Sequence, residues 1–368
     1  MRIVLTGGGT GGHIFPLVAV ARKIREKIGA EADFLYIGSG AELEKEVMTQ
    51  ENIRSTFNLS GKVRRYFSLQ NFIDPFKIIV GFFETLWKLL VYMPDVIFSK
   101  GGYVSVPVVL VGWLYRIPVV VHESDAVPGS SNQILGKFAE RIAVAYPTAA
   151  DYFDPSRTAI LGNPVREDIN KGNAEEGRKF FGFTESKPVI LVLGGSQGSQ
   201  SINNALVRIL PRILMRAQII HQTGEENYEE TVHLAGEFGI KAGREGYYPM
   251  KFIGNGNLKN SYALCGLVIS RAGANSIAEI AANRKPSILI PLEHSANDHQ
   301  RMNAYSIAKI GGALVLEETN LGEHILLEKI EKFLDNKEFC EMMAQNVEAF
   351  YHPQAAENLA DEIIKVGS

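Results

Sequence analysis

The sequence predicts an α/β fold of two nucleotide-type domains, each built on a parallel sheet, facing a shared cleft. Three observations predict it. Two glycine turns, Gly7-Gly8-Gly9-Thr10-Gly11-Gly12-His13 and Gly194-Gly195-Ser196-Gln197-Gly198, each follow an apolar run and precede a helical pattern. Apolar runs alternate with helical patterns along the chain, and the runs are near-continuously apolar, as parallel strands covered on both faces require. Finally, 368 residues exceed one ordinary domain, and 46% hydrophobic residues can fill a large core.

Taken in order, the first half holds the runs Ile3–Leu5, Phe34–Ile37, Val96–Phe98, Val119–Val121 and Ile142–Ala145. The second holds Ile190–Leu193, Gln218–His221, Lys251–Ile253, Leu267–Ile269 and Ser287–Ile290. Strand–helix repetition gives parallel sheets with right-handed crossovers, whose ligands bind beyond the carboxyl ends of the strands. Each glycine turn sits at such an end. There backbone N–H groups and the positive end of a helix dipole converge, and glycine lets a phosphate approach closely. Gly162-Asn163-Pro164 interrupts the pattern, so residues 1–162 are expected as the first domain and 163–352 as the second. The polar segment Asn170–Gly182 precedes the next strand. Ala355–Val366 reads as an amphipathic helix, and 353–368 is expected to pack back on the first domain.

One segment needs its own account. Asp74-Pro75 reads as a cap and first helical residue, with the helix running from Phe76 to about Met93. At ~100° per residue, Lys77, Gly81, Glu84, Thr85 and Lys88 form one polar stripe. Phe76, Ile79, Val80, Phe83, Trp87 and Leu90 form one apolar face, and Ile78, Phe82, Leu86, Leu89 and Met93 form another. Packing on a sheet needs one such face, not two. Either the helix is wedged between two elements or it lies in an anionic membrane interface. The second reading puts Phe82 and Leu86, with Lys62, Arg64 and Arg65 just upstream, on the membrane face. Lys77, Glu84 and Lys88 interrupt a run of only about 18 residues, which argues against a transmembrane span.

The formal net charge of −3 gives no pull toward nucleic acid. Cys265 and Cys340 are far apart and fit no metal spacing, which points to a reducing compartment. The chain enters a strand at once, so no signal peptide is expected and the chain reads as cytosolic.

The motifs narrow the chemistry. Gly7, Gly9 and Gly12 fit G-x-G-x-x-G, but Phe34–Ile37 ends in Gly38-Ser39 where a dinucleotide site needs an acid. No Lys-Ser or Lys-Thr follows the glycines, so there is no P-loop. Both points disfavour an oxidoreductase or a P-loop NTPase. No Asp-x-Asp pair occurs, so a leaving diphosphate would be stabilised by helix N-termini, backbone N–H groups and cationic side chains. Arg166, after Gly162-Asn163-Pro164-Val165, is either such a cation or a surface arginine. The segment Ser270–Glu279 leaves a strand and begins a helix. Glu279, about one and a half turns in, either accepts two hydrogen bonds from a ribose diol or faces solvent. His299-Gln300 and Asn303 follow the last strand of the second half, where amide groups can read a sugar.

These residues carry a resemblance. Gly8-Gly9-Thr10-Gly11-Gly12-His13, Gly101-Gly102-Tyr103-Val104-Ser105, His122-Glu123, Gly162-Asn163-Pro164-Val165-Arg166, Gly194-Gly195-Ser196-Gln197-Gly198, Ser270–Glu279 and His299-Gln300, in this order, resemble the MurG family of bacterial peptidoglycan glycosyltransferases. The likeness covers essentially the whole chain. It implies a GT-B fold, two Rossmann-like domains around a cleft. It implies inverting transfer of N-acetylglucosamine (GlcNAc) from UDP-GlcNAc to undecaprenyl-diphosphoryl-MurNAc-pentapeptide (lipid I). The product would be lipid II, made by a peripheral enzyme at the cytoplasmic face of the cell membrane, with no metal, cofactor or nucleic acid needed.

Carried over position by position, the donor site falls on Thr10, Gly11, Gly12, Asp125, Arg166, Ser196, Ile253, Ala274, Asn275, Ser276, Ile277, Ala278, Glu279 and Gln300. Backbone groups at Ile253 would read the uracil, Glu279 the ribose and Gln300 a sugar hydroxyl. The acceptor diphosphate is expected at Gly9, Gly101, Gly102 and Tyr103. Where the family often has Gln-Asn after His-Glu, this chain has Ser124-Asp125, and an ionised Asp accepts hydrogen bonds but cannot donate as an amide does. Inversion needs a base for the attacking hydroxyl. His13 is the candidate, with an ordinary pKa of ~6.5 suited to the task, and His122 is its rival. His13 read as a structural or phosphate-donating residue is the alternative. Three other functions fit the same residues: transfer to a different lipid, UDP-GlcNAc 2-epimerisation, and non-catalytic sensing of a nucleotide sugar.

Overall fold

The computed structural model describes residues 1–8, 11–59, 70–195 and 197–368, and of 70–78 the backbone only. The chain divides into two compact units, Met1–Val165 with His352–Ser368, and Arg166–Tyr351. The sequence break at Gly162 lies inside the first unit, where the Gly162 carbonyl accepts a hydrogen bond from His122 Nε2 at 2.9 Å.

In the first unit the chain runs β1 (Arg2–Thr6), α1 (Gly11–Ile28), β2 (Asp33–Gly38), α2 (Glu42–Gln50), β3 (Arg54–Phe57), α3 (Gln70–Tyr92), β4 (Val96–Ser99), α4 (Ser105–Leu114), β5 (Val119–Glu123), α5 (Ser130–Leu135), β6 (Arg141–Val144), α6 (Pro147–Ala150) and β7 (Thr158–Ile160). The seven strands are ordered β3-β2-β1-β4-β5-β6-β7. Pairing is parallel throughout, with Val4 of β1 opposite Leu35 on one side and Ile97 on the other.

The second unit runs α7 (Ala174–Phe181), β8 (Val189–Leu193), α8 (Gln200–Ile213), β9 (Gln218–Gln222), α9 (Tyr228–Glu237), β10 (Tyr247–Met250), α10 (Asn255–Leu264), β11 (Leu267–Ser270), α11 (Ala274–Ala282), β12 (Ser287–Leu289), α12 (His299–Lys309), β13 (Leu314–Val315), α13 (Glu323–Asp335) and α14 (Lys337–Glu348). Its six parallel strands are ordered β10-β9-β8-β11-β12-β13, the same winding as the first sheet. The central β8 buries every residue of Val-Ile-Leu-Val-Leu, as a strand covered on both faces must. After α14 the chain returns to the first unit, where α15 (Ala355–Gly367) packs on α1. Leu359, Ala360 and Ile363 of α15 join the core of Ile3, Leu5, Leu17 and Val20. Each leucine, isoleucine or valine so buried contributes about 1.5–3 kcal/mol.

Four strands differ from the sequence expectation, and all four are sheet edges. β3, β7 and β13 lie outside the expected runs, and the run Lys251–Ile253 is a bend that follows β10. An edge strand is half exposed and short, so its sequence lacks the continuous apolar signal.

The α3 expectation also needs correction. Asp74 and Pro75 lie within the helix, which is already under way at Gln70. The described part of its polar stripe, Gly81, Glu84, Thr85 and Lys88, faces the protein. Thr85 is fully buried, its Oγ1 accepts from Asn58 Nδ2 at 2.6 Å, and Leu59 N donates to Glu84 Oε2 at 3.0 Å. Lys88 Nζ donates to Asn58 Oδ1 (2.6 Å) and to the Phe57 carbonyl (2.7 Å). At Gly81 a side chain would run into the Leu59 carbonyl, 2.1 Å from an added Cβ, so only glycine permits this approach. Phe82 and Leu86 are half-buried, and the outward face is the other one, with Phe83 64% and Trp87 69% exposed beside Ile79, Val80 and Leu90.

Candidate active site

In the first unit the strand ends of β1, β4 and β5 bring together His13, the Gly101-Gly102-Tyr103 turn, His122 and Asp125. Gly101 and Gly102 both hold φ +85, a conformation glycine adopts freely. A Cβ on Gly102 would stand 3.6 Å from His13 Cε1 and 3.5 Å from the Gly8 carbonyl, so the two glycine turns abut at the histidine. His13 lies in the first turn of α1, part-buried, with Nδ1 2.7 Å from the Gly8 carbonyl. A carbonyl can only accept, so Nδ1 carries the proton and neutral His13 presents its lone pair at Nε2. Burial and the nearby Lys100 ammonium lower the His13 pKa, against opposing pulls from the Gly8 hydrogen bond, Asp125 and Glu44.

His122, the rival base, is placed otherwise. It is fully buried, Nε2 donates to the Gly162 carbonyl, and Nδ1 accepts from Lys100 Nζ at 2.7 Å. Both nitrogens are committed, and burial with Lys100 holds its pKa well below the ordinary value. Glu123 accepts from the backbone N–H of Asp125 (2.9 Å) and Gly129 (3.1 Å) and from Asn132 Nδ2 (2.9 Å), which fixes the loop after β5. Asp125 is part-exposed and lies within electrostatic reach of His13, Lys100 and Glu123. Its surroundings are those of the histidine cluster. Gly11 and Gly12 open α1, while Gly9 and Thr10 lie outside the described residues, as do Lys62, Arg64 and Arg65.

The second unit assembles another set at the ends of β8, β9, β10, β11 and β12. Arg166 Nε (3.0 Å) and Nη2 (2.5 Å) both donate to Glu279 Oε1, and Arg166 Nη1 donates to Asn255 Oδ1. Tyr262 OH lies 3.4 Å from Glu279 Oε2. The surface reading of Arg166 is therefore excluded, and so is a solvated Glu279. In this structure the guanidinium orients the carboxylate that faces it. Ala274, Asn275, Ser276, Ile277, Ala278 and Glu279 belong to α11, whose N-terminus has Gly273 at the cap position and no side-chain cap. Such an end attracts anions.

Ile253 is buried and its N–H donates to Gln222 Oε1 at 3.0 Å. Gln300, near the start of α12, accepts the Leu292 N–H through Oε1 at 3.1 Å. His294, Asn297 and Asp298, in the loop leading to it, all hold positive φ. Strained backbone of this kind clusters at ligand-handling loops. Ser196 lies outside the described residues.

Comparison with known proteins assigns the chain. The glycosyltransferase family 28 N-terminal domain matches residues 3–144, and the glycosyltransferase family 28 C-terminal domain matches residues 189–359. A Clostridium perfringens protein, UDP-N-acetylglucosamine--N-acetylmuramyl-(pentapeptide) pyrophosphoryl-undecaprenol N-acetylglucosamine transferase, is 42% identical over 92% of this chain and 91% of its own length. The crystal structure of Acinetobacter baumannii MurG superposes with a TM-score of 0.76 at 25% identity, covering 99% of this chain and 100% of that one.

The chain belongs to the MurG family.

Its fold is GT-B, two parallel-sheet Rossmann-like domains. A Neisseria meningitidis UDP-GlcNAc 2-epimerase, solved with UDP-GlcNAc, also superposes, with a TM-score of 0.70 over 99% of this chain and 100% of that one. At 11% identity this likeness speaks for the fold alone.

Sequence reasoning missed three groups. Lys100 is a buried cation at the end of β4, and its signal was a lysine ending an apolar strand just before two glycines. Gln222 ends β9, with no signal short of knowing which loops flank it. Arg271 Nη2 pairs with Glu318 Oε1 at 2.5 Å and with Ser201 Oγ at 3.1 Å, joining segments far apart in sequence. Burial pushes the Glu318 carboxyl up, but hydrogen bonds from Arg271, Ser201 and the Glu293 N–H hold it down at about 2.

Proposed function

We propose that this MurG-family chain transfers GlcNAc from UDP-GlcNAc to the MurNAc 4-hydroxyl of lipid I, with inversion, to give lipid II. The observation that carries the proposal is His13: a neutral imidazole, its tautomer fixed by Gly8, with Nε2 presented beside the Gly101-Gly102 turn. The first unit, Met1–Val165 with His352–Ser368, takes the acceptor, and the second, Arg166–Tyr351, the donor. His13 Nε2 removes the proton of the attacking hydroxyl as the oxygen approaches the anomeric carbon from the side opposite UDP. The diphosphate departs toward amide-rich backbone of the second domain, the N-terminus of α11 and the glycine turn after β8. Ile253 reads the base, Glu279 the ribose diol, and Gln300 a sugar hydroxyl. The acceptor diphosphate sits on Gly9, Gly101, Gly102 and Tyr103, with Asp125 nearby on the His13 side.

Among the described residues no helix is long and apolar enough to cross a membrane. The exposed apolar side chains on the outward face of α3 support peripheral attachment to the cytoplasmic face. Trp113 and Leu114 at the end of the neighbouring α4 are also exposed. Aromatic and aliphatic side chains of this kind insert into the headgroup boundary, and Lys62, Arg64 and Arg65 would add attraction to anionic lipid. The 2-epimerase alternative rests on fold likeness alone.

The deciding assay gives the full chain radiolabelled UDP-GlcNAc and a lipid I analogue, with chelator present. Label moving into the lipid product is the expected result. UDP-ManNAc formed without an acceptor, or donor left intact through long incubation, would refute the transfer.

A further inference from the structure

The Gln222 carboxamide ends β9 between two loops that the proposed function assigns to different parts of the nucleotide. Its Nε2 donates to the Gly195 carbonyl at 2.8 Å, in the glycine turn after β8. Its Oε1 accepts the Ile253 N–H at 3.0 Å, in the bend after β10. The backbone joins in, with Gly194 N–H reaching the Gln222 carbonyl at 3.4 Å. The side chain is buried, and only one orientation of the amide satisfies both partners, because Gly195 offers an acceptor and Ile253 a donor. A glutamate, leucine or methionine could fill the space but could not bridge the two.

We propose that Gln222 is a positioning residue that clamps the base-reading backbone at Ile253 to the glycine turn that meets the diphosphate. The inference rests on the donor-site reading above, in which Ile253 takes the base. A rigid amide spanning both loops sets the distance between base and phosphate subsites. The two parts of the ligand then help each other: each bound part finds the other loop already placed. By linkage the assistance is reciprocal.

Calorimetry with uridine and UDP on the full chain tests it. In Gln222→Met, which bridges neither loop, the ratio of UDP to uridine affinity falls about tenfold, the value of one well-placed hydrogen bond. Gln222→Glu keeps the acceptor for Ile253 but turns an oxygen toward the Gly195 carbonyl. Its uridine affinity stays within about twofold of the parent. Its UDP affinity is weak at about pH 8 and recovers as the carboxyl is protonated and donates again. A merely structural glutamine would lower the melting temperature and both affinities together, with the ratio and pH profile unmoved; that result overturns the clamp. If neither variant folds, the wild-type amide resonance of Gly195 decides: uridine alone should shift it, and an unmoved signal overturns the clamp. ADP binding as tightly as UDP would instead overturn the uridine reading, and the inference with it.

Discussion

The two sheets are wound alike, yet the helix in one equivalent slot is built in opposite ways. Between β3 and β4 the chain forms α3, from Gln70 to Tyr92; between β10 and β11 it forms α10, from Asn255 to Leu264. α3 turns its polar stripe inward and leaves Phe83, Trp87 and Leu90 in the open. α10 is short and polar, and its Asn255 and Tyr262 support Arg166 and Glu279. One winding therefore serves two surroundings, an exposed apolar face in one slot and the Arg166–Glu279 pair in the other. The scaffold does not decide which; the outward residues of the inserted helix do.

The division of labour is broken most directly at His13. His13→Ala should lower turnover about 10²–10⁴-fold, the range for a lost general base, with UDP affinity unchanged. The pH profile sharpens this. With His13 as the proposed base the active form would be the neutral imidazole, whose pKa burial and Lys100 lower, so activity should hold as pH falls through 6.5 and drop only at lower pH. A rate that falls in parallel with UDP affinity would move His13 out of the chemistry and into the donor site.

Next in size is the lipid face. Phe83→Ser, Trp87→Ser and Leu90→Ser together should weaken partition to anionic vesicles about 100-fold or more, since each apolar side chain transferred is worth about 1.5–3 kcal/mol. Phe82→Ser with Leu86→Ser, at the half-buried positions, should mostly lower stability. Flotation of the triple variant equal to the parent's would end the idea that the α3 slot meets lipid.

The second slot is tested by Glu279→Ala. UDP affinity should fall about 10–100-fold, the range for hydrogen bonds to a charged group, while vesicle binding stays as it was. Tyr262→Phe, which removes only the contact at 3.4 Å, should cost a few-fold. Equal calorimetric affinities for parent and Glu279→Ala would sever ribose recognition from this helix.

What was legible in the sequence follows from where the physics is local. The interior strands could be read because a strand buried on both faces must be apolar at every position, as Val189–Leu193 is. The edges β3, β7, β10 and β13 could not, since half their surface is free to be polar. Glycine turns and His13 were legible as motifs. The partners of His122 were not, because Gly162 and Lys100 reach its two ring nitrogens from distant segments. The face of α3 was misread for a related reason. Periodicity sorts a helix into stripes but does not say which stripe meets protein, and here Asn58, Leu59 and Phe57 make the polar one interior.

That inverted helix makes the smallest and most specific prediction. Thr85 Oγ1 donates to the Gly81 carbonyl at 2.6 Å while accepting from Asn58 Nδ2, so Thr85→Val keeps the shape but strips the acceptor from a buried amide. The expected loss is about 1–3 kcal/mol, a melting shift of a few degrees, because an unsatisfied buried donor costs its desolvation. Vesicle binding should not change, since the outward face is untouched. For an ordinary amphipathic helix the opposite would hold: a valine on the protein side would be neutral or stabilising. If Thr85→Val melts at or above the parent temperature, the polar stripe does not hold α3 in place, and the contrast with α10 loses its physical basis.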